Sequence, residues 1–454
     1  MTALNNKLRN NNELLDCLKL IKKKAEEVHK DRVLIDFTDH GIDHSNRMIN
    51  LLDNLGGNSI FSNKKTPSIN ETEAFILLAA IYLHDIGMQI SEESKLESFA
   101  KEKGIKYDKC NKDEFVRTNH HLLSGYWIAC NIKSVNGLPD VYVGDSELGK
   151  LVQLVVESHG IDFLGKEEYK KEYFYKGQEI HLMILCILLS LADSLDCDCR
   201  RVDIKKVNYT QIDDFSQIHW WKHYYVNSVS VKNNIVEIYY CFPKLGEHEG
   251  QIYKYFFSHQ STYWIKKNKE KYSKYLSEFG VVFDIKENFA ESETKKKLSK
   301  EMYVKVEDKL VDILDDFYSG NVPIPVANFR VTIGVLKKDG QVLLVKRKKP
   351  EETLMWQFPA GIIKPMETAE ERIVREFLGE TGITVEVESL LGKRIHPNTK
   401  AVSYYFSLRY ITGDIKNGDM EENEDIKWVP VEDYKNLITS DLYMSVEKYL
   451  ADNP

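Results

Sequence analysis

Residues 74–88 read AFILLAAIYLHDIGM, and this stretch decides how the first half of the chain folds. The apolar run from 74 to 83 is too short for the ~20 residues that a membrane-spanning helix needs, so it predicts a buried helix. His84 and Asp85 follow at its end. A buried carboxylate costs several kcal/mol unless it is paired or bound to a metal ion. Asp85 is therefore expected to have a partner of that kind.

A second apolar run, LMILCILLSLADSL at 182–195, carries another carboxylate in similar surroundings. Neither buried carboxylate has an obvious cationic neighbour, so a shared cation is the natural expectation. Upstream, a histidine begins an amphipathic helix in the segment DHGIDHSNRM. Two imidazoles and two carboxylates suit Mn, Fe, Mg, Zn or Ni. The predicted metal ligands are His44, His84, Asp85 and Asp193.

Length and composition limit the kind of protein this can be. The chain has 454 residues, which allows about two to four domains. With 43% hydrophobic and 29% charged residues, it is expected to be globular rather than disordered. A net charge of −8 argues against a protein that coats nucleic acid, although Lys-rich runs keep nucleic-acid contact open. Seven cysteines without a C-x-x-C pair, and no signal-like N-terminus, predict a reduced, cytoplasmic protein outside the membrane.

Periodicity predicts a helical first part and a mixed remainder. The predicted helices of the first part are 12–30, 42–55, 71–86, 115–132, 146–158 and 178–196. The aromatic and β-branched stretch 220–242, with Asn233-Asn234 as its turn, predicts a hairpin. Two further helices are predicted at 252–278 and 294–318.

The segment SGNVPIP at 319–325 is the best boundary in the chain. Beyond it, a hairpin at 331–347 turns at Asp339-Gly340, and a helix follows at 367–381. Three more strands and a terminal helix at 440–451 complete an α/β pattern. The predicted domains are a helical domain at 1–204, an α+β extension at 205–320 and an α/β domain at 321–454.

The pattern H…HD…D formed by the predicted metal ligands resembles the HD-domain metal-dependent phosphohydrolase superfamily over about 30–205, with an extension that can reach 318. The flanking segments FTDHGIDHSNR, RTNHHLLSGYWI, ESHG and LADSLDCDCRRV strengthen the resemblance. It implies an all-α domain that hydrolyses phosphoester or phosphoanhydride bonds with Asp85 in a catalytic role. HD proteins are frequently oligomeric, so a homo-oligomer is one expectation, with no number fixed.

Two more histidines can take part in this site. Some members of the superfamily hold a second ion with histidines at similar places, which implies His120 and His159 here, with His120 also catalytic. His121 is the rival to His120, and a one-metal site in which His120 or His159 touches substrate is the alternative. Arginine suits bidentate phosphate contact, so Arg200 and Arg201 are predicted to bind substrate, with a surface salt bridge as the alternative.

Residues 361–383, GIIKPMETAEERIVREFLGETGI, form a second chemical motif. Glu376 and Glu380 lie four apart on one helix face, where like charges repel by ~0.2–0.5 kcal/mol unless a cation lies between them. Mg²⁺ or Mn²⁺ with diphosphate oxygens is the natural occupant, with Arg375 orienting a glutamate.

This stretch resembles the Nudix box, G-x5-E-x7-R-E-U-x-E-E-x-G-U, within a resemblance that covers about 325–454. The matching residues are Gly361, Glu367, Arg375, Glu376, Glu380, Gly382 and Ile383. The resemblance implies a mixed sheet between helices, catalysis by Glu376 and Glu380, and attack of water on a diphosphate that is linked to another moiety.

One position departs from the box, because Gly379 stands where the first of two consecutive glutamates is expected. A metal ligand is therefore missing, and a downstream acid has to be considered in its place. The candidates are Glu421, Glu422 and Glu424. Predicted substrate contacts in this domain are Arg347 and Arg394 for phosphate and Trp356 for stacking on a base.

The sequence thus predicts a two-module phosphohydrolase that acts on nucleotides or nucleotide derivatives. One alternative is an HD hydrolase that a degenerate, nucleotide-sensing Nudix module regulates. Another is an HD nuclease or cyclic-nucleotide phosphodiesterase, which the acidic net charge disfavours.

Overall fold

The computed structural model describes residues 2–30, 38–56, 60, 67–133, 146–203, 214–316, 326–351, 354–438 and 442–452. The chain forms two compact units, the first from Met1–Pro243 and Phe257–Lys295, the second from Lys244–Phe256 and Lys296–Pro454. The predicted boundaries near 204 and 320, and the segment 319–325, lie outside the described residues. In the described part, no single helix is long and apolar enough to cross a membrane, and only one bent pair, Glu71–Gln89 with Glu93–Lys103, meets that test together.

Helices dominate the first unit. They are α1 (Ala3–Lys7), α2 (Asn12–Val28), α3 (Ile42–Asn54), α4 (Glu71–Leu83), α5 (Glu93–Lys103), α6 (Lys112–Lys133), α7 (Ser146–Ser158), α8 (Glu167–Lys170), α9 (Leu182–Leu195), α10 (Asp214–Tyr225) and α11 (Glu247–Glu278), the last of which begins in the second unit.

Helix α4 is the centre of this unit because it is apolar on every side. Asn70 and Glu73 form a capping box at its start, and the helix packs against α2, α3, α7 and α9. Each buried Leu, Ile or Phe contributes ~1.5–3 kcal/mol, which offsets the cost of placing polar groups at its end. The helix stops at Leu83, so His84 caps it and Asp85 begins a 3₁₀ turn at Ile86–Gln89.

The predicted hairpin at 220–242 is wrong at its beginning, because residues 220–225 belong to helix α10. The hairpin itself is β3 (Val226–Lys232) and β4 (Ile235–Phe242), and both Asn233 and Asn234 have positive φ at its turn. Strand β5 (Asp284–Glu291) pairs parallel to β4. A smaller hairpin consists of β1 (Tyr173–Tyr175) and β2 (Gln178–Ile180), and β2 takes the first residues of the helix predicted at 178–196.

The second unit contains a mixed seven-stranded sheet with the order β10-β11-β6-β7-β12, to which β8 and β9 add on β7 and β6. Strands β11 and β6 pair parallel and the other pairs are antiparallel. The elements are α12 (Lys300–Asp316), β6 (Arg330–Lys338), β7 (Gln341–Glu351), β8 (Leu354–Gln357), β9 (Ala360–Ile362), α13 (Ala369–Thr381), β10 (Thr384–Ile395), β11 (Val402–Thr412), β12 (Asn423–Pro430) and α14 (Met444–Ala451).

Two hydrophobic cores cover this sheet. One contains Ile373 and Phe377 of α13 together with Val311 of α12. The other contains Val446 and Leu450 of α14. A helical first part followed by a mixed sheet between helices confirms the predicted fold class.

Candidate functional site

Four histidines of the first unit direct their Nε2 atoms into one buried place. His44 lies at the start of α3 and His84 at the end of α4, and their Nε2 atoms are 3.2 Å apart. His120 in α6 and His159 after α7 form a second pair with Nε2 atoms 3.0 Å apart. The structure thus brings together the histidines that the sequence singled out.

The other ring nitrogen of each histidine fixes its tautomer. His44 Nδ1 lies 2.6 Å from Asp196 Oδ2, and His84 Nδ1 lies 2.9 Å from the Ile81 carbonyl oxygen. His120 and His159 make 2.6 Å contacts to backbone carbonyls in the same way. When Nδ1 donates, Nε2 of a neutral ring presents a lone pair. In two neutral rings the facing lone pairs ~3 Å apart repel, and a cation between the rings, either a proton or a metal ion, removes that repulsion.

Asp85 lies between the two histidine pairs. Its Oδ2 is 3.1 Å from His84 Nε2 and 3.7 Å from His44 Nε2, whereas its Oδ1 is 3.5 Å from His120 Nε2 and 3.7 Å from His159 Nε2. In the described part of the chain, Oδ2 is buried and accepts no hydrogen bond. The residues therefore fit two divalent ions that share the Asp85 carboxylate.

Asp193 from α9 completes the first of these groups. Its Oδ1 lies 3.2 Å from His44 Nε2 and 3.8 Å from His84 Nε2. Burial raises the pKa of both Asp85 and Asp193, but the neighbouring imidazoles lower it more, so that both carboxyls stay well below their usual range. Burial lowers the pKa of His84, but the two carboxylates raise it to about 10. The carboxylates are thus ionised and ready for a cation.

Close packing at Gly87 holds the site together. A Cβ atom there would lie 2.2 Å from the His120 carbonyl oxygen, so only glycine lets the turn after Asp85 approach α6. Ser124 links the same elements, since its Oγ accepts from Gly87 N at 2.8 Å and donates to the His84 carbonyl at 2.6 Å.

A cavity of about 190 Å³ opens beside the ligands Asp85, His120 and Asp193. Its other wall is basic and comes largely from α10. The wall residues that the sequence reasoning did not single out are Arg117, Ser216, His219, Trp220, Lys222 and His223. The spacing of Ser216, His219, Lys222 and His223 places them on one face of a helix, and this pattern could have identified them. It was missed because residues from 220 onwards were predicted to form a hairpin.

The two adjacent arginines are placed differently. Arg201 is buried and lines the cavity, while Nε donates to the Asp39 carbonyl at 2.9 Å. Arg200 is exposed and pairs with Asp198 at 2.6 Å, outside the cavity, as in the salt-bridge alternative. His121 packs beside Gly160 and belongs to neither group of converging ligand atoms found among the described residues.

The second unit has its own cavity, of about 680 Å³, lined by both acidic and basic side chains. Glu376 and Glu380 line it from α13, and Arg347 Nη1 lies 3.9 Å from Glu380 Oε1. Arg372 forms an ion pair with Glu376, and Arg375 forms one with Glu367.

Glu380 is the most buried of these acids. Its Oε2 has no hydrogen-bond partner among the described residues. Burial raises the pKa of Glu380 to about 8, with Arg347 opposing and Glu376 adding to the shift. An orphaned, buried carboxylate oxygen next to a second carboxylate fits a divalent cation.

Two of the three glycines of the motif, Gly361 and Gly379, have opposite surroundings. A Cβ atom at Gly361 would lie 2.3 Å from Glu376 Cγ, so this strand approaches the acidic helix closely. A Cβ atom at Gly379 would meet no atom within 4 Å among the described residues.

Two downstream acids line the same cavity as Glu376 and Glu380. Glu422 lines the cavity and its Oε2 lies 2.7 Å from Arg347 Nη1. Asp419, which the sequence reasoning missed, lines it as well. Glu424 pairs with Lys346 at 3.0 Å, and neither it nor Glu421 is among the lining residues.

Two of the three predicted substrate contacts lie in this cavity. Arg347 and Arg394 line it, and Arg394 Nε donates to the Tyr405 hydroxyl at 3.1 Å. Trp356 lies instead in a hydrophobic core, with Lys427 Nζ 4.3 Å from its ring, so it is not placed to stack on a bound base.

Two family models match different parts of the chain. The HD-CE family model matches residues 34–267, and the NUDIX domain model matches residues 328–446. An ADP-ribose pyrophosphatase of Methanocaldococcus jannaschii is 34% identical over 104 residues, which are 23% of this chain and 61% of that protein. A MutT-like protein of Streptomyces ambofaciens is 35% identical over 75 residues, 16% of this chain and 46% of that protein.

The chain therefore spans about three fifths or less of the length of these relatives. Among solved structures, the MutT protein of Methanosarcina mazei Go1 is 23% identical, with a TM-score of 0.25, and the match covers 29% of this chain and 98% of that one. Since the first family model covers just over half of the chain, this protein belongs to the HD-CE family, and a NUDIX domain follows.

Proposed function

We propose that this protein is a phosphohydrolase with two separate sites that depend on divalent metal ions. The HD site would cleave a phosphoester or phosphoanhydride, and the Nudix site a nucleoside diphosphate derivative. The observation that carries the proposal is the convergence of four histidine Nε2 atoms on the two oxygens of Asp85.

At the HD site, His44, His84, Asp85 and Asp193 would hold one ion, and Asp85, His120 and His159 the second. When bound, such ions supply Lewis acidity towards a phosphoryl group and make water more acidic. The chain itself keeps the ligands oriented. Asp196 accepts from His44 Nδ1 and from Arg47 Nε at 2.8 Å, so the first ligand cannot rotate without breaking a buried network.

The experiment that tests the HD site uses Asp85→Asn. Because both ligand groups share this carboxylate, the variant should lose both ions and at least ~100-fold of the HD activity. Asp43→Asn, an exposed change at the start of α3 beside His44, is the matched control. Metal content by mass spectrometry and phosphate release on a nucleotide panel are the measurements. Full metal occupancy and full activity in Asp85→Asn would remove the proposal.

At the Nudix site, Glu376 and Glu380 would bind Mg²⁺ or Mn²⁺, and Arg347 and Arg394 would contact phosphate oxygens. The volume of about 680 Å³ falls within the ~300–1,000 Å³ that is usual for pockets that enclose a whole small ligand. The relative named ADP-ribose pyrophosphatase supports a nucleoside diphosphate joined to a second moiety as the substrate class. ADP-ribose is therefore the first compound to assay.

Gly379 supports a second candidate function, in which the Nudix site binds a nucleotide and regulates the HD site. One carboxylate of the usual set is absent there. The discriminating experiment measures binding and turnover of ADP-ribose by the full chain with Mg²⁺ or Mn²⁺. Turnover that Glu380→Gln abolishes supports the enzyme. Tight binding without turnover, together with an HD rate that changes with ligand, supports the sensor.

A further inference from the structure

The basic wall of the HD cavity contributes no residue to the two groups of converging ligand atoms found among the described residues. Lys222 is half-buried there, and it makes no hydrogen bond or ion pair with any residue that the structure describes. Burial lowers the pKa of Lys222. A charged lysine that is desolvated without a partner is unfavourable in the free protein. Binding of an anion beside it would offset that cost.

Two arginines stand on the same wall. The Arg201 guanidinium donates to the backbone carbonyls of Asp39 and Asp196, at 2.9 and 3.2 Å, and pairs with no carboxylate in the described part of the chain. Arg117 donates to Ser216 Oγ, which fixes its guanidinium at the cavity. Lys222 and Arg201 therefore bring positive charge to this wall without an ion pair to any carboxylate in the described part of the chain.

The cavity joins this wall directly to the metal ligands. Asp85, His120 and Asp193 line one side, and Arg117, Arg201 and Lys222 line the other. Its volume of about 190 Å³ is below the ~300–1,000 Å³ of pockets that enclose an entire ligand. It thus suits one charged end of a ligand, with the remainder outside.

We propose that the basic wall binds a second phosphoryl group next to the one at the metal ligands, so that the HD substrate ends in a chain of at least two phosphates. This inference rests on the proposed function of the HD site and names its substrate class. A compound with a single phosphate, or a cyclic phosphodiester, would leave Lys222 and Arg201 without an anionic partner. A polynucleotide also presents successive phosphates, but it needs a track that continues beyond a cavity of this size.

The test uses the full chain in a Glu380→Gln background, which removes metal binding at the Nudix site. Imidodiphosphate, which resists hydrolysis, and inorganic phosphate are titrated calorimetrically at fixed free Mn²⁺. Imidodiphosphate should bind at least ~10-fold more tightly than phosphate, since its second phosphoryl group adds charge-assisted hydrogen bonds to the basic wall. Lys222→Met should remove most of that advantage and leave phosphate affinity nearly unchanged.

Lys222→Met should fold, because it replaces an unpaired, desolvated cation by an apolar chain of similar length. Lys232→Met, an exposed change at the end of β3, is the matched control and should keep the full advantage. Equal affinity for the two anions, or an unchanged ratio in Lys222→Met, would overturn the inference. So would a 20-nucleotide single strand that competes more strongly than imidodiphosphate and depends on Lys222, because that result assigns the wall to a polynucleotide.

The result also separates this inference from the proposed function. Phosphate binding that requires Mn²⁺ and is lost in Asp85→Asn supports the metal site, whatever imidodiphosphate does. If phosphate binds in that way and imidodiphosphate gains nothing, only the second phosphoryl site fails. If neither anion shows metal-dependent binding, the proposed function fails and this inference fails with it.

Discussion

At the scale of single residues, Gly379 is the position where the Nudix motif lacks a carboxylate. A Cβ atom there would meet no described atom within 4 Å, so the backbone at this position accepts the first atom of a glutamate side chain. The new carboxylate would stand next to Glu380 and add a hard oxygen ligand. We expect the variant to bind Mg²⁺ more tightly and to hydrolyse ADP-ribose faster, by ~10-fold or more.

The control for this gain is Gly379→Gln, which has the same size without the charge. Helix propensity improves in both variants, so any effect they share comes from the backbone and not from the carboxylate. Mg²⁺ titration of the hydrolysis rate is the measurement. If Gln and Glu give equal rates, Gly379 is not the place of a missing ligand.

The buried Glu380 predicts a pH dependence of stability in the metal-free protein. Its pKa is about 8 in the folded state, against an ordinary value of 4.5. Between these values the folded chain keeps a proton that the unfolded chain has released, so stability falls as pH rises through this window. Glu380→Gln should therefore be more stable than wild type above about pH 8, by roughly 1–3 kcal/mol.

The measurement is thermal unfolding in EDTA at several pH values across that window. Glu370→Gln, an exposed change on the same helix, should follow the wild type. A constant difference between Glu380→Gln and wild type at every pH would show that Glu380 is ionised throughout and that the expected shift is absent.

Residue patterns predicted which residues belong to a site better than they predicted which way each side chain points. The burial of His84 and Asp85 could be predicted because they directly follow a helix that is apolar on every side. A carboxylate buried in such a place needs a partner, which pointed to a metal site. Sequence could not decide between Arg200 and Arg201, since adjacent residues of a 3₁₀ turn point in different directions. Only the packing of Asp39 and Asp196 around Arg201 settles which one faces the cavity.

At the scale of elements, helix α10 shows where local propensity misleads. Its sequence IHWWKHYY is rich in aromatic residues, which favour strands on average. It is nevertheless a helix, with Trp220, Trp221, Tyr224 and Tyr225 buried. Tertiary packing overrides β propensity here, and this override places Lys222 and His219 on the cavity wall.

Helix α12 gives a prediction about stability. It lies outside the match to the NUDIX model, yet Val311 belongs to the same core as Phe377 and Leu336. Val311→Ala should destabilise the sheet by roughly 1–3 kcal/mol, because two buried methyl groups leave a cavity. Hydrogen exchange of β11 in the full chain is the measurement, with the exposed Lys300→Ala as control. Unchanged protection in Val311→Ala would mean that α12 is not part of this core.

At the scale of the whole molecule, the two units do not follow the chain in simple succession. Residues 244–256 belong to the second unit although they lie within the HD-CE match, and 257–295 return to the first. Composition and turn signals locate breaks along the chain, but they carry no information on which distant segments pack together. The kind of folds could thus be predicted from sequence, whereas this exchange of segments between the two units could not.

The two ligand sets predict different metal requirements within one chain. The HD site offers four imidazoles with two carboxylates, which suit Mn, Fe, Zn or Ni, whereas the Nudix site offers carboxylates alone, which suit Mg or Mn. After treatment with EDTA, Mg²⁺ alone should restore hydrolysis of ADP-ribose and little of the HD activity, and Mn²⁺ should restore both. Asp85→Asn and Glu380→Gln assign each recovered activity to its site. Full HD activity with Mg²⁺ alone would contradict this prediction, because histidine nitrogens are poor ligands for Mg²⁺ compared with oxygen.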